Sequence, residues 1–131
     1  AQACIDSGTD GLSVINTISG MAIDIEKKEP VLGNRAGGLS GPAIKPIALL
    51  KVFDVFTVAQ KHNVPILGQG GISNANDAIE FILAGATTVG VGTALFFDPL
   101  VCSKINKGIT TYLEKQNLTS LGQIVGAAHI K

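Results

Sequence analysis

Two short apolar runs in this chain each end in a glycine cluster and lead into a helix-like stretch. Val64-Pro65-Ile66-Leu67 runs into Gly68-Gln69-Gly70-Gly71, and Thr87-Thr88-Val89 runs into Gly90-Val91-Gly92-Thr93. A strand that ends in bare backbone N–H groups, just before a helix, is a cradle for a phosphate. Two such cradles late in a strand–helix rhythm suit the phosphate grip of a barrel that holds a phosphorylated cofactor. The plainer alternative is that the glycines only make tight turns between strand and helix.

The rest of the chain keeps that rhythm. Ala3 to Ser7 reads as a helix tail capped by Gly8, and Gly11 to Ile15 as a buried strand ending at Asn16-Thr17. A long connection follows from Ile18 to Pro42, with Pro30-Val31-Leu32 as a short strand inside it. Connections of that length in a compact domain are usually functional or self-structured. Ala43 to His62 is a helix. Its apolar stripe is Ile44, Ile47, Leu50, Val52, Val55, Phe56 and Ala59, and Pro46 is tolerated only in its first turn. Asn63 ends it, before a strand from Val64 to Leu67. Asn74 N-caps the next helix, Ala75 to Ala84, with Asp77 as an acidic partner for its start, and Gly85 closes it. Thr87 to Val91 is a strand. Ala94 to Phe97 is a helical turn stopped by Asp98-Pro99, Leu100 to Lys115 a longer helix, and Ser120 to Val125 a final turn.

Short apolar strands separated by helices predict parallel strands covered on both faces. The composition agrees, with 46% hydrophobic and 15% charged residues in 131, enough for one domain with a core. Ten basic residues balance ten acidic ones, so nothing in the charge points to nucleic acid or an anionic membrane. No apolar stretch is long enough to span a bilayer, and the first residues carry no secretory signal. Cys4 and Cys102 are far apart without metal-ligand spacing, and read as buried free thiols in a reducing compartment. No metal site is expected. The chain opens without Met and in mid-pattern, as a piece of a longer protein would.

The most specific segment is the loop Gly37-Gly38-Leu39-Ser40-Gly41-Pro42-Ala43-Ile44-Lys45-Pro46. Its glycines let backbone approach a flat ligand, and Ser40 sets a hydroxyl beside them. Preceded by Leu12-Ser13-Val14-Ile15-Asn16-Thr17, this string resembles dihydroorotate dehydrogenase. So do Gly70-Gly71-Ile72, Asp77-Ala78-Ile79-Glu80-Phe81-Ile82-Leu83-Ala84-Gly85-Ala86 and Val91-Gly92-Thr93-Ala94, in that order. The resemblance covers nearly the whole chain. The Ser-Gly-Pro-Ala-Ile-Lys-Pro wording is similar to the heterodimeric subclass, whose partner subunit carries FAD and an iron–sulfur cluster and passes electrons to NAD.

The resemblance implies an α/β fold: residues 1–131 as the FMN-binding, C-terminal portion of a TIM (β/α)8 barrel, about three parallel strands with covering helices. It implies a cytoplasmic flavoprotein of pyrimidine biosynthesis that oxidises dihydroorotate to orotate, as a homodimer joined by the electron-transfer subunit. By motif, Asn16 and Thr17 would contact the pyrimidine and Gly41 would lie near the flavin. Gly70, Gly71, Gly92 and Thr93 would bind the FMN phosphate. The family's flavin-contacting lysine and its cysteine or serine base would precede Ala1. Neither Cys4 nor Cys102 matches that base, so no catalytic residue is expected here and the fragment alone is expected to be inactive.

Read from the residues alone, several roles stay open. The Asn16 amide offers a donor and an acceptor to a pyrimidine, or forms an Asx turn leaving the strand. Thr93 binds phosphate or N-caps the short turn, and Ser40 is a loop hydroxyl. Lys45 stands beside a helix start and reads as solvated. His62 and His129 read as surface or capping residues, and Lys27-Lys28 as a solvated turn. Two other functions compete. One is the pyrimidine-reducing domain of a dihydropyrimidine dehydrogenase, which shares the Asn-Thr and Ser-Gly phrases. The other is a non-catalytic phosphate-binding fragment with exposed strand edges.

Overall fold

A computed structural model describes residues 1–129. The first helix, α1 (Gln2–Asp6), leads into strand β1 (Leu12–Val14). Helix α2 (Lys45–Ala59), preceded by a 3-10 turn at Pro42–Ile44, returns the chain to a second parallel strand. The connection between β1 and α2 holds four short strands: β2 (Ile18–Gly20), β3 (Ile23–Asp24), β4 (Glu29–Pro30) and β5 (Gly37–Leu39). After α2 come β6 (Ile66–Gln69), α3 (Ala75–Leu83), β7 (Thr88–Gly90), a 3-10 turn at Thr93–Phe96 and α4 (Val101–Lys115). Two further 3-10 turns, Leu121–Gln123 and Ala127–His129, close the described chain.

The three longer βα units build one parallel sheet in the order β1-β6-β7. Val14 pairs with Gly68, and Gln69 pairs with Gly90. Strands that run the same way in near-level register bring their C-terminal ends to one rim. The loops beginning at Ile15, Gly70 and Val91 therefore emerge side by side, which is where barrel folds place their sites.

One face of this sheet is the core. Ile66 from β6, Ala48 and Val52 from α2, and Ala78 and Phe81 from α3 are all at or below 1% exposed. The sequence predicts strands covered on both faces; among the described residues only one face is covered. Leu67 is half-buried, and Ser13 and Thr88 are exposed on the opposite face, because no described helix lies over them. In a closed barrel that second face is covered by the strands opposite. Among the described residues β1 and β7 are the edges of the sheet. No described helix is long and apolar enough to cross a membrane.

Local chemistry explains most boundaries. Pro46 lies in the first turn of α2, where its missing N–H is harmless. Asn63 takes the left-handed conformation (φ 54°) that stops the 3-10 turn Gln60–His62 at the end of α2. Asn74 Oδ1 accepts the N–H of Asp77 at 3.1 Å, as an N-cap should. Two details differ from the sequence reading of α2. Ile47 and Leu50 are 46% and 55% exposed, while Ala48 takes the core position between them. Phe53 and Phe56 instead hold His129, whose ring stacks on Phe53 with centroids 3.7 Å apart. One ring nitrogen of His129 lies 3.0 Å from the carbonyl of Ala84, the C-cap of α3, which is a capping role. The buried-thiol expectation also fails, since Cys4 and Cys102 are both free and exposed.

The long connection is self-structured. β2 pairs antiparallel with β5, from Ile18 opposite Leu39 to Gly20 opposite Gly37, and β3 pairs with β4 beyond them. The inner strand falls at Glu29–Pro30 rather than over Pro30-Val31-Leu32. At the tip, Asp24 Oδ1 accepts the N–H groups of Glu26 and Lys27 at 3.0 Å each. Lys27 Nζ lies 4.0 Å from the same carboxylate, and the Lys28 N–H donates to the Asp24 carbonyl at 2.8 Å, a solvated turn closed on itself.

Candidate functional site

The strand-end rim encloses an open cleft of about 270 Å³. Asn16 and Thr17 line it from the end of β1, Ser40 from the end of β5, Gly70 from β6, and Gly92 and Thr93 from β7. Of the sequence-predicted site residues, five therefore meet around one space: Asn16, Thr17, Gly70, Gly92 and Thr93. Gly41 and Gly71 stand one layer behind it, packed on each other.

That packing sets the shape of the first cradle. Gly71 has φ +80°, and a Cβ there would sit 2.6 Å from the Gly41 carbonyl oxygen and 3.0 Å from Lys45 Cβ. Only a residue without a side chain permits both the conformation and the approach. Gly70 has φ +133°, and a Cβ on it would sit 2.6 Å from the methyl of Ala48. The β6 loop is thus folded down on the start of α2 as closely as backbone allows. On the β7 side, Gly92 faces open space, with no atom within 4 Å of where its Cβ would be.

The main-chain N–H groups of Gly70, Gly71, Gly92 and Thr93 donate to no other group among the described residues. Unpaired amides on two adjoining loops, beside a cleft, are a donor set for an oxyanion. No charged side chain lines the cleft among the described residues, so an anion there would be held by backbone dipoles and hydroxyls rather than by a counter-ion. The Thr93 hydroxyl does not cap its own turn. It donates to Ser40 Oγ at 2.9 Å and ties the β7 loop to the β5 loop.

Asn16 Oδ1 accepts the N–H of Thr17 at 2.9 Å, which fixes the amide at the strand end. Its Nδ2 donates to nothing else among the described residues and stands at the cleft. The Thr17 side chain lies against Gly38, where a Cβ would collide with it.

Two side chains that matter here carried no obvious signal. Gln69, given no role of its own within the glycine cluster, lines the cleft. Its Nε2 donates to Ser13 Oγ at 3.1 Å and to the Ile15 carbonyl at 3.4 Å, bracing β1 where it leaves the sheet. The reading of Lys45 as solvated is corrected. Its Nζ lies 2.7 Å from Asp77 Oδ1 and 2.9 Å from Glu80 Oε2, and its side chain is only 27% exposed. These hydrogen bonds hold the Lys45 ammonium above its usual range, against the opposing effect of burial. Burial pushes the Asp77 carboxyl up, but the hydrogen bonds from Lys45 and from Ser73 outweigh it, and the group titrates below its usual range. Lys45 and Asp77 lie 32 residues apart, and no local pattern links them.

The family profile for dihydroorotate dehydrogenase matches residues 1–113. "Dihydroorotate dehydrogenase B (NAD(+)), catalytic subunit" of Geotalea uraniireducens is 54% identical over 127 residues, which are 97% of this chain and 41% of the relative. The protein of the same name from Desulforamulus reducens is 52% identical over 130 residues, 99% of this chain and 42% of that one. That from Bacteroides thetaiotaomicron is 48% identical with the same coverage. The chain spans about two fifths of the length of these relatives. Among solved structures, a dihydroorotate dehydrogenase from Eimeria tenella in complex with ferulenol superposes with a TM-score of 0.79. It is 27% identical, over 99% of this chain and 34% of that one.

Proposed function

The chain belongs to the dihydroorotate dehydrogenase family, and on that premise we propose that it forms the phosphate-gripping part of an enzyme that oxidises dihydroorotate to orotate. One observation carries this reading. The amides of Gly70, Gly92 and Thr93, without a partner among the described residues, border the same uncharged cleft as Asn16 and Thr17. An anion and a polar ring would be held there by adjacent loops of one rim.

FMN fits these residues. Its phosphate needs several N–H donors, and the amides of Gly70, Gly71, Gly92 and Thr93 have no other partner among the described residues. When bound, that group supplies the hydride-accepting chemistry of the reaction. The chain's own residues bind and orient. Gly41, buried behind the cleft, and Ser40 at its edge complete the wall toward the cofactor. Asn16 Nδ2, without a partner among the described residues, is a donor for a carbonyl or carboxylate oxygen of the pyrimidine, and the Thr17 hydroxyl offers a second contact. Its Oδ1 is already engaged by Thr17, so Asn16 acts mainly as a donor.

We assign no catalytic base to this chain. Cys4 lies on α1 and Cys102 on α4, and neither lines the cleft. The base and the flavin-contacting lysine belong, on this reading, to the part of the relatives' length outside these residues. The relatives' name, with its NAD(+) and its catalytic subunit, favours a partner subunit carrying FAD and an iron–sulfur cluster, and the same reading gives a cytoplasmic enzyme with a homodimeric core. It also favours dihydroorotate over uracil as the ring that enters the cleft.

The full-length enzyme tests this. It is expected to purify with a flavin absorbance band and to turn over dihydroorotate without reducing uracil. A colourless protein that takes up no added FMN overturns the reading.

A further inference from the structure

Lys45 is the first residue of α2, yet its side chain crosses to α3. Asp77 receives it on Oδ1. The other carboxylate oxygen, Oδ2, accepts from the N–H of Ser73 at 3.0 Å, from the Ser73 hydroxyl at 2.8 Å and from Asn74 Nδ2 at 2.9 Å. One carboxylate thus ties the far end of the Gly70–Asn74 loop to the start of α2. At the near end the same loop rests on the same place, with Gly71 against the Gly41 carbonyl and Lys45 Cβ. The loop that presents the Gly70 and Gly71 amides is held at both ends by the residues around Lys45.

We propose that Lys45 is a positioning residue for the phosphate cradle. Its ion pair with Asp77 fixes the distance between the Gly70–Gly71 loop and the Ser40–Gly41 loop, and so the aim of the amides, without Lys45 lining the cleft itself. Asp77 is 6% exposed, and such a partly buried pair resists the screening that weakens surface ion pairs. The inference rests on the reading of the cleft as a flavin phosphate site. It adds a residue that acts on that site through the loop.

The test compares affinities for FMN and for riboflavin, which lacks the phosphate, in the full-length enzyme by flavin fluorescence. Lys45→Met is expected to lower the preference for FMN over riboflavin roughly tenfold, within the usual range for coupled contacts. Riboflavin affinity itself should stay unchanged. Lys45→Arg, which keeps the charge and can still reach Asp77, should retain most of the preference. Asp77→Asn gives the same readout should Lys45→Met fail to fold. A general loss of stability would lower both affinities together. If both variants that fold keep the wild-type preference, the inference is wrong while the site reading stands. If the wild-type enzyme prefers neither flavin, the site reading fails first and takes the inference with it.

Discussion

Thr93 Oγ1 donates a 2.9 Å hydrogen bond to Ser40 Oγ across 53 residues of chain, and both hydroxyls line the same cleft. The bond joins the loop after β7 to the loop after β5. Thr93→Val keeps the shape and removes the donor. We expect it to cost about 1 kcal/mol, a fivefold loss of FMN affinity, as one ordinary hydrogen bond would. Ser40→Ala should cost a similar amount, and the double variant less than the sum, measured as a cycle by flavin titration.

Gly71→Ala should be harsher. The added methyl meets the Gly41 carbonyl at 2.6 Å in a conformation that L residues avoid. A cost of about 1–3 kcal/mol in thermal or denaturant unfolding is expected, with loss of bound flavin. Unchanged stability and flavin content would mean that the loop has room the structure does not show.

Asn16→Ala should separate substrate from cofactor. With Nδ2 gone, the KM for dihydroorotate should rise about tenfold, for the loss of a donor to a charged or strongly polar ligand. Flavin content should not change. Asn16→Asp should be worse, because it sets a carboxylate against the carboxylate of the substrate.

The Lys45–Asp77 pair makes a prediction about pH. A carboxyl whose folded pKa lies below its ordinary value of 3.8 contributes stability above that value and loses it as pH falls through the folded pKa. The Lys45 ammonium, raised above 10.5, contributes fully below that value and loses its share as pH rises through the folded pKa. The melting temperature should therefore be insensitive to this pair between about pH 5 and 9. Below pH 4 the difference between wild type and Asp77→Asn should shrink. A constant difference down to pH 2 would show that the pair contributes nothing through its charge.

Phe81 tests the core beneath the site. It is fully buried between β6 and the helices. Phe81→Ala should cost about 3–5 kcal/mol in unfolding experiments. A loss under 1 kcal/mol would mean that the sheet face is not packed as described.

Helix α3 was legible because its local signals agreed: the Asn74 cap, the acidic Asp77 in the first turn, and Gly85 just past its end. The end of α2 was legible for a similar reason, since Asn63 is one of the few residues that tolerates its conformation. The rim was legible in outline, because glycine clusters after apolar runs mark where strands end. Ile47 and Leu50 misled because apolar spacing alone does not say which part of a broad stripe faces the sheet, and small Ala48 fits the tighter place. The β2–β5 ribbon left little pattern, because strands of two or three residues are too short to show alternation. Lys45 was misread because its partner comes from a different helix, and only the fold brings the two together.

The antiparallel ribbon between residues 18 and 39 starts and finishes at neighbouring points, since Ile18 lies opposite Leu39. Twenty-odd residues therefore make an excursion that leaves Thr17 and Ser40 side by side. What happens at its far tip, around Asp24 and Glu29, adds or removes length without spreading the mouth of the cleft. That outlying turn is the part of this chain most at liberty to vary.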